Sequence, residues 1–395
     1  MSSSVEGTEQ PTNSLNVEQA VRERYSAASK AAEPALCCPV KYNEDYLKVL
    51  PAEMIERDYG CGDPSQYVAE GETVLDLGSG GGKICYIASQ VVGPQGRVIG
   101  VDMNDDMLAL ARKYQGDITR RIGWDNVTFH KARIQDLAHD LDRFGAHIAA
   151  HPITCAEDWL ATETLCDQWR HDKPMIADDS VDVVISNCVL NLVEETDRRQ
   201  LFNELHRVLR RGGRAVISDI VCDEPVPETM KNDPRLWSGC ISGAYLESEF
   251  LEAFEQAGFY GLEIAARQEE AWATIEGIEF RSLTICAFKG KEGPCMDHKQ
   301  AVIYRGPWKS VTDDDGHILR RGERMAVCEK LFELYTQRPY TDQIIPVPPH
   351  HAISAENSVA FDCHKNGVRN PQETKGPTDK RTQLPIQDCC GPDCC

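Results

Sequence analysis

Three cysteines of this 395-residue chain stand in turn-like contexts and not in helix or strand interiors. Cys61 lies in Tyr59-Gly60-Cys61-Gly62-Asp63-Pro64, Cys188 in Ser186-Asn187-Cys188-Val189-Leu190-Asn191-Leu192, and Cys240 in Ser238-Gly239-Cys240-Ile241-Ser242-Gly243-Ala244. Any one alone is as readily a packed thiol as a ligand. Three at expected loop positions around one crevice favour a converging site for a soft centre, because soft thiolates select soft ligands. Zinc is the rival occupant, since four thiolates suit it, but these three are far apart in sequence and include no Cys-x-x-Cys pair. Cys85, Cys155, Cys166, Cys286 and Cys328 stand singly among apolar or helical neighbours and read as small buried hydrophobes.

A second chemical signal is the run Val74-Leu75-Asp76-Leu77-Gly78-Ser79-Gly80-Gly81-Gly82. It follows an apolar strand and opens a helix, where glycines let backbone approach a ligand and the helix N-terminus favours an anionic group. A dinucleotide fingerprint, G-x-G-x-x-G, fails in both frames, because Lys83 or Cys85 falls where the third glycine belongs. The pattern acidic-x-Gly-x-Gly-x-Gly fits Asp76, Gly78, Gly80 and Gly82 in full. Asp102 ends the next strand. It is placed either to accept two ribose hydroxyls or to cap the following helix.

These residues need a scaffold, and the pattern from about 70 to 290 supplies one. Strands are expected at Glu72–Leu77, Arg97–Asp102, Val127–His130, Val181–Asn187 and Ala215–Asp219, with helices at Lys83–Val92, Asp105–Tyr114, Thr196–Arg210 and Glu247–Ala257. Gly212-Gly213 reads as a helix stop, and Leu262–Ala266 and Arg281–Phe288 as closing strands. Such alternation implies an α/β fold, a mostly parallel sheet with helices on both faces. Ala138–Ile176 interrupts the rhythm and reads as a helical excursion; its histidines have no defensible metal spacing. The expected organisation is a flexible N-terminus over 1–33 (weakly helical near Val17–Ala32), a main domain over 34–290, a small C-terminal α+β domain over 291–352, and a disordered tail over 353–395. The small domain has a strand at Ala301–Tyr304 and a helix at Glu323–Leu334. The tail ends in Cys389-Cys390-Gly391-Pro392-Asp393-Cys394-Cys395.

Composition narrows the partners. With 63 acidic against 42 basic residues the net charge is −21, which disfavours nucleic acid and anionic membrane surfaces. No apolar run of membrane-spanning length occurs. Met1–Gln19 is polar without a hydrophobic signal core, so a cytoplasmic location is expected. There the 17 cysteines read as metal-binding or catalytic instead of a disulfide frame.

The Asp76–Gly82 pattern resembles motif I of the class I (Rossmann-like) S-adenosylmethionine methyltransferases, with Ser79 where many carry cysteine. Joined to the Tyr-Gly-Cys-Gly, Ser-Asn-Cys-Val-x-Asn-Leu and Ser-Gly-Cys-Ile-Ser-Gly-Ala segments, it resembles the arsenite methyltransferase family over about residues 35–350. The resemblance implies a trivalent arsenic substrate held at Cys61, Cys188 and Cys240, and a fourth cysteine that here is Cys37 or Cys38. It implies S-adenosylmethionine bound by Tyr59, Asp76, Gly78, Ser79, Gly80, Asp102, Met103, Ile134, Gln135 and Asn187. It further implies a small-molecule substrate (arsenite or its thiol conjugates), an external thiol reductant such as glutathione or thioredoxin, and a monomer. The vicinal pairs Cys37-Cys38, Cys389-Cys390 and Cys394-Cys395 are each expected to form a strained, easily reduced disulfide or to chelate one metalloid, and the tail pairs to deliver arsenite or to scavenge soft metals without specificity. Two other functions stay open: methylation of a different small molecule, which needs no cysteine triad, and metalloid sequestration on a vestigial methyltransferase fold.

Overall fold

Every residue but the first of Thr73–Leu77 (β1) is buried, the mark of a central strand covered on both faces. It pairs in parallel with Arg97–Asp102 (β2) on one side and Val181–Asn187 (β4) on the other, and β2 pairs in parallel with Val127–Lys131 (β3). Leu209–Cys222 (β5) continues the parallel run beside β4 and carries Tyr245–Leu246 (β6) at its end. Tyr260–Arg267 (β7), Ala273–Ile275 (β8) and Ile278–Phe288 (β9) complete the sheet, β9 lying antiparallel between β5 and β7. Among the described residues the order is β3-β2-β1-β4-β5-β9-β7. These observations come from a computed structural model, which describes residues 16–33, 36, 40–365, 367–376 and 382.

The strand order turns back at β1, with β2 and β3 on one side of it and β4 and β5 on the other. The carboxyl ends of β1 and β4 therefore open one crevice, the usual ligand site of an open α/β sheet. Leu77 stands beside Ser186 in the ladder, so the glycine turn and Cys188 leave adjacent strands at nearly the same height. Helices Lys83–Val92, Asp105–Lys113 and Arg198–Val208 and others cover the faces. Leu75, Val101, Val184, Leu205, Ile217 and Phe254 anchor the core beneath the crevice.

Several sequence expectations change. Gly212 and Gly213 do not separate a helix from a strand; they lie inside β5, where Gly212 N–H donates to Lys289 C=O at 2.8 Å. An added Cβ on Gly213 would sit 2.8 Å from two carbonyl oxygens, so this glycine permits close strand approach. The N-terminal segment is not flexible over 16–33: Val17–Ala28 is a helix, capped by the Asn16 side chain and tied down by Arg24, which donates to Arg235 C=O and Ser238 Oγ. The Ala138–Ile176 insertion forms two helices, Leu141–Ala150 and Ala156–Asp172, the second fastened by Arg170 to Asp136 at 2.9 Å. Cys155 is exposed, contrary to its reading as a buried hydrophobe.

The described residues divide into two units at Gly290. In the second, Ala301–Tyr304 is flanked antiparallel by Arg324–Ala326 and Ile344–Val347. The helix there is Glu329–Tyr335, shorter than expected, because Arg324–Ala326 is claimed by the sheet. Chain beyond 353 is not structureless as far as residue 376: Val359–Ala360 pairs with Met296–Asp297, and Pro371–Lys375 is helical. The polar composition there hid one buried ion pair, Arg369 with Asp297 at 2.7 Å, which anchors this return segment.

Candidate active site

Cys188 is the first residue beyond β4, and its N–H donates to Ser218 C=O on β5 at 2.7 Å. Its φ is +63°, and Cys240 has φ +62°. Left-handed backbone costs an ordinary residue on the order of 1–2 kcal/mol. Such strain persists where the surroundings over-determine a conformation. The Cys240 thiol donates to Cys188 C=O at 3.2 Å. Cys61 and Cys240 share one buried cluster against which Cys188 packs, so the three expected cysteines come together. These thiol contacts, then burial, push the Cys188 thiol well above its usual range. Cys240 is lowered by its bond to Cys188, but burial and the Asp219 charge outweigh that and raise it.

Asp219, which sequence reading passed over, completes this pocket of thiols. Its carboxylate lies with the Cys188 and Cys240 sulfurs in a set of ligand atoms within 4.8 Å of one another. It accepts the Leu190, Asn191 and Ile220 N–H groups and so holds the turn after Cys188. Burial lifts its carboxyl to about 6 against those bonds. The available signal was a carboxylate near the end of an expected strand, the same logic applied to Asp102.

The motif glycines are explained by contact. An added Cβ on Gly60 would lie 2.3 Å from Asn187 Nδ2, one on Gly62 2.5 Å from Ser218 Oγ, and one on Gly243 2.0 Å from Asn191 C=O. Asn187, expected against the cofactor, does line the crevice, yet its amide is engaged elsewhere. Its Oδ1 accepts Cys61 N–H at 2.9 Å and Gly62 N–H at 3.0 Å, and its Nδ2 donates to Gly62 C=O at 2.7 Å. It clamps the Cys61 loop to the strand that ends at Cys188.

The crevice beside Cys188 is lined by all ten residues expected for the cofactor: Tyr59, Asp76, Gly78, Ser79, Gly80, Asp102, Met103, Ile134, Gln135 and Asn187. Gly78 has φ +68°, and a Cβ there would press 2.5 Å from Val189. Asp102 accepts Gly80 N–H at 2.9 Å and Asn104 N–H at 2.8 Å, which fixes its carboxylate in the crevice wall. Burial raises its pKa and those backbone donors offset part of the rise. Asp76 is pushed up to about 7, by burial first and by the charges of Asp58 and Asp102, and it accepts the Cys85 thiol at 3.2 Å. Ser79 Oγ is buried without a partner among the described residues. A glycine cradle, a fixed carboxylate and an orphaned hydroxyl together fit an adenosyl cofactor with a charged tail.

The N-terminal helix forms one wall through Val17, Val21, Arg22 and Tyr25. Tyr25 hydrogen-bonds the Cys240 thiol and meets the Tyr59 ring edge-on at 6.2 Å. Tyr59 fixes its hydroxyl between Ala28 C=O and Glu33 N–H. The stripe Val17, Val21, Tyr25, Ala28 was the signal in the sequence, and it was weak because only one face of a short helix carries it. Cys37, Cys38 and the four tail cysteines lie outside the described residues.

Residues 69–258 match a family model described as a methyltransferase domain, and residues 291–379 match a domain of unknown function. The chain is 31% identical over 316 residues to an arsenite methyltransferase of Aquipseudomonas alcaligenes, covering 76% of this chain and 81% of that one. It is 26% identical to the arsenite methyltransferase of Homo sapiens, covering 89% and 88%. Its fold matches the crystal structure of an arsenic(III) S-adenosylmethionine methyltransferase from Chlamydomonas reinhardtii, with a TM-score of 0.54 at 24% identity, over 86% of this chain and all of that one. A class I methyltransferase sheet, a crevice suited to S-adenosylmethionine and the extent of shared sequence lead to one assignment: the chain belongs to the arsenite methyltransferase family.

Proposed function

We propose that this protein methylates trivalent arsenic held by Cys61, Cys188 and Cys240, with S-adenosylmethionine bound across the β1–β4 crevice. The observation that carries the reading is the packing of three thiols, from three distant loops, into one cluster whose Cys188 lines that crevice. Arsenous acid exchanges each hydroxyl for a thiolate, and every thiol proton leaves with a hydroxide as water. The site can therefore hold its thiols protonated until substrate arrives and needs no strong general base. When bound, S-adenosylmethionine would supply an electrophilic sulfonium methyl to the arsenic lone pair, its S–CH3 bond breaking as S-adenosylhomocysteine leaves. The protein's part is placement, an effect that removes several kcal/mol of barrier. Glycine backbone and Asp102 hold the cofactor, Asn187 sets Cys61, and Asp219 sets the Cys188 turn.

An external thiol reductant, glutathione or thioredoxin, regenerates trivalent arsenic between transfers. The functional unit is a monomer in the cytoplasm. No helix among the described residues is long and apolar enough to cross a membrane. The test is incubation with arsenite, S-adenosylmethionine and a thiol reductant, followed by arsenic speciation. Methylated arsenicals are expected, and Cys188→Ser lowers their formation at least about 100-fold (~2.7 kcal/mol) while cofactor affinity stays within about twofold. Cofactor binding without any methylated arsenical overturns the reading. Deleting residues 389–395 lowers the rate at limiting arsenite if the tail delivers substrate; an unchanged rate rejects delivery.

A further inference from the structure

Cys328 looked like a lone buried thiol in the sequence. In the second unit it has two companions: the ligand sulfurs of Cys295, Cys328 and Cys363 all lie within 4.8 Å of one another. They come from three separate segments of the domain of unknown function. Cys295 precedes Met296–Asp297, Cys363 follows Val359–Ala360, and the antiparallel pairing of those two strands sets them side by side. Phe361 N–H donates to Cys295 C=O at 2.8 Å, extending that pairing to the cysteine itself. Cys328 caps the helix Glu329–Tyr335, its sulfur accepting Leu331 N–H at 3.4 Å. The Arg369–Asp297 ion pair, 5% and 10% exposed, locks the return segment that carries Cys363.

Cys328 is fully buried, while Cys295 and Cys363 are partly exposed. The cluster thus combines one buried cysteine with two that are partly accessible to solvent. Zinc prefers four ligands, and among the described residues this group offers three. Three thiols without a fourth ligand match a pyramidal three-coordinate centre with a lone pair. We propose that Cys295, Cys328 and Cys363 form a second binding site for trivalent arsenic. Binding exchanges three As–OH bonds for three As–S bonds and releases three waters, with no redox change. The choice of arsenic as the soft ion rests on the proposed function; the convergence of the thiols does not.

The test uses the full chain bearing Cys37→Ser, Cys38→Ser, Cys240→Ser, Cys389→Ser, Cys390→Ser, Cys394→Ser and Cys395→Ser, which disables the first site and the tail. Equilibrated with arsenite alone, this background retains one tightly held arsenic with three As–S bonds by X-ray absorption. Adding Cys363→Ser drops the sulfur count and weakens retention at least about 10-fold. Cys295→Ser does the same and replaces it should Cys363→Ser fail to fold. Identical occupancy and coordination with and without the added substitution overturns the proposal, as does a cluster that takes up zinc and refuses arsenite. Arsenic speciation on the unsubstituted chain runs in parallel. Retained three-sulfur arsenic without methylated product defeats the proposed function and leaves this site standing.

Discussion

At the scale of single residues, the proposed acceptor site is a set of close approaches around thiols in unusual backbone. Gly60→Ala puts a methyl where Asn187 Nδ2 stands. The Cys61 loop then lifts from the end of β4, and we expect at least a 10-fold fall in methylation (~1.4 kcal/mol), with cofactor affinity, read by calorimetry, nearly unchanged. Cys188 and Cys240 carry side chains in left-handed backbone, and this sets up a comparison that separates strain from chemistry. Cys188→Ala and Cys188→Gly both remove the sulfur, but only alanine keeps the conformational cost. The glycine variant should unfold at a higher denaturant concentration, by about 1 kcal/mol, with both equally inactive; equal stability refutes the strain. The cysteines themselves were legible because turn contexts set them apart in sequence. Asp219 and Tyr25 were not, since their relevance depends on which loops the fold brings together.

At the scale of elements, β1 and β4 determine where chemistry happens, and the end of β1 carries a buried carboxyl. Asp76 binds its proton more tightly when folded, because its pKa of about 7 lies above the ordinary carboxyl value of 3.8. Its contribution to stability is therefore fully present below about pH 4 and is lost as pH rises through about 7. Asp76→Asn should flatten the fall in Tm of the cofactor-free protein between pH 5 and pH 8; an unaltered slope would assign that fall to other groups. Most of the parallel strands were readable because strands buried on both faces appear as unbroken apolar runs. β5 was the exception. Its glycines resemble a helix stop locally, and only the bonds of Gly212 and Gly213 with Lys289, just past β9, draw them into the sheet. The α+β unit beyond 290 was seen in outline, while its return segment was missed, since one ion pair and one short strand pairing hold a polar stretch that composition marks as loose.

At the scale of the whole molecule, the first helix reaches across more than 200 residues of sequence to Arg235 and Ser238, and it walls the crevice. Removing residues 1–28 takes away Tyr25, Arg22 and the apolar stripe without touching the sheet. We expect a rise of about 10-fold or more in the dissociation constant for S-adenosylmethionine with the main thermal transition retained; an unchanged constant would show the helix to be an ornament of the crevice. The sheet itself has a different consequence. Neighbouring strands lie about 4.8 Å apart, and the donor's glycine loop and the acceptor's thiol leave neighbours whose register pairs Leu77 with Ser186. The separation of the glycine turn from Cys188 is thereby machined into the backbone, as a jig holds two workpieces at one distance. A metalloid seated on Cys188, as proposed, would meet every incoming methyl at that same separation, whichever cofactor molecule delivers it.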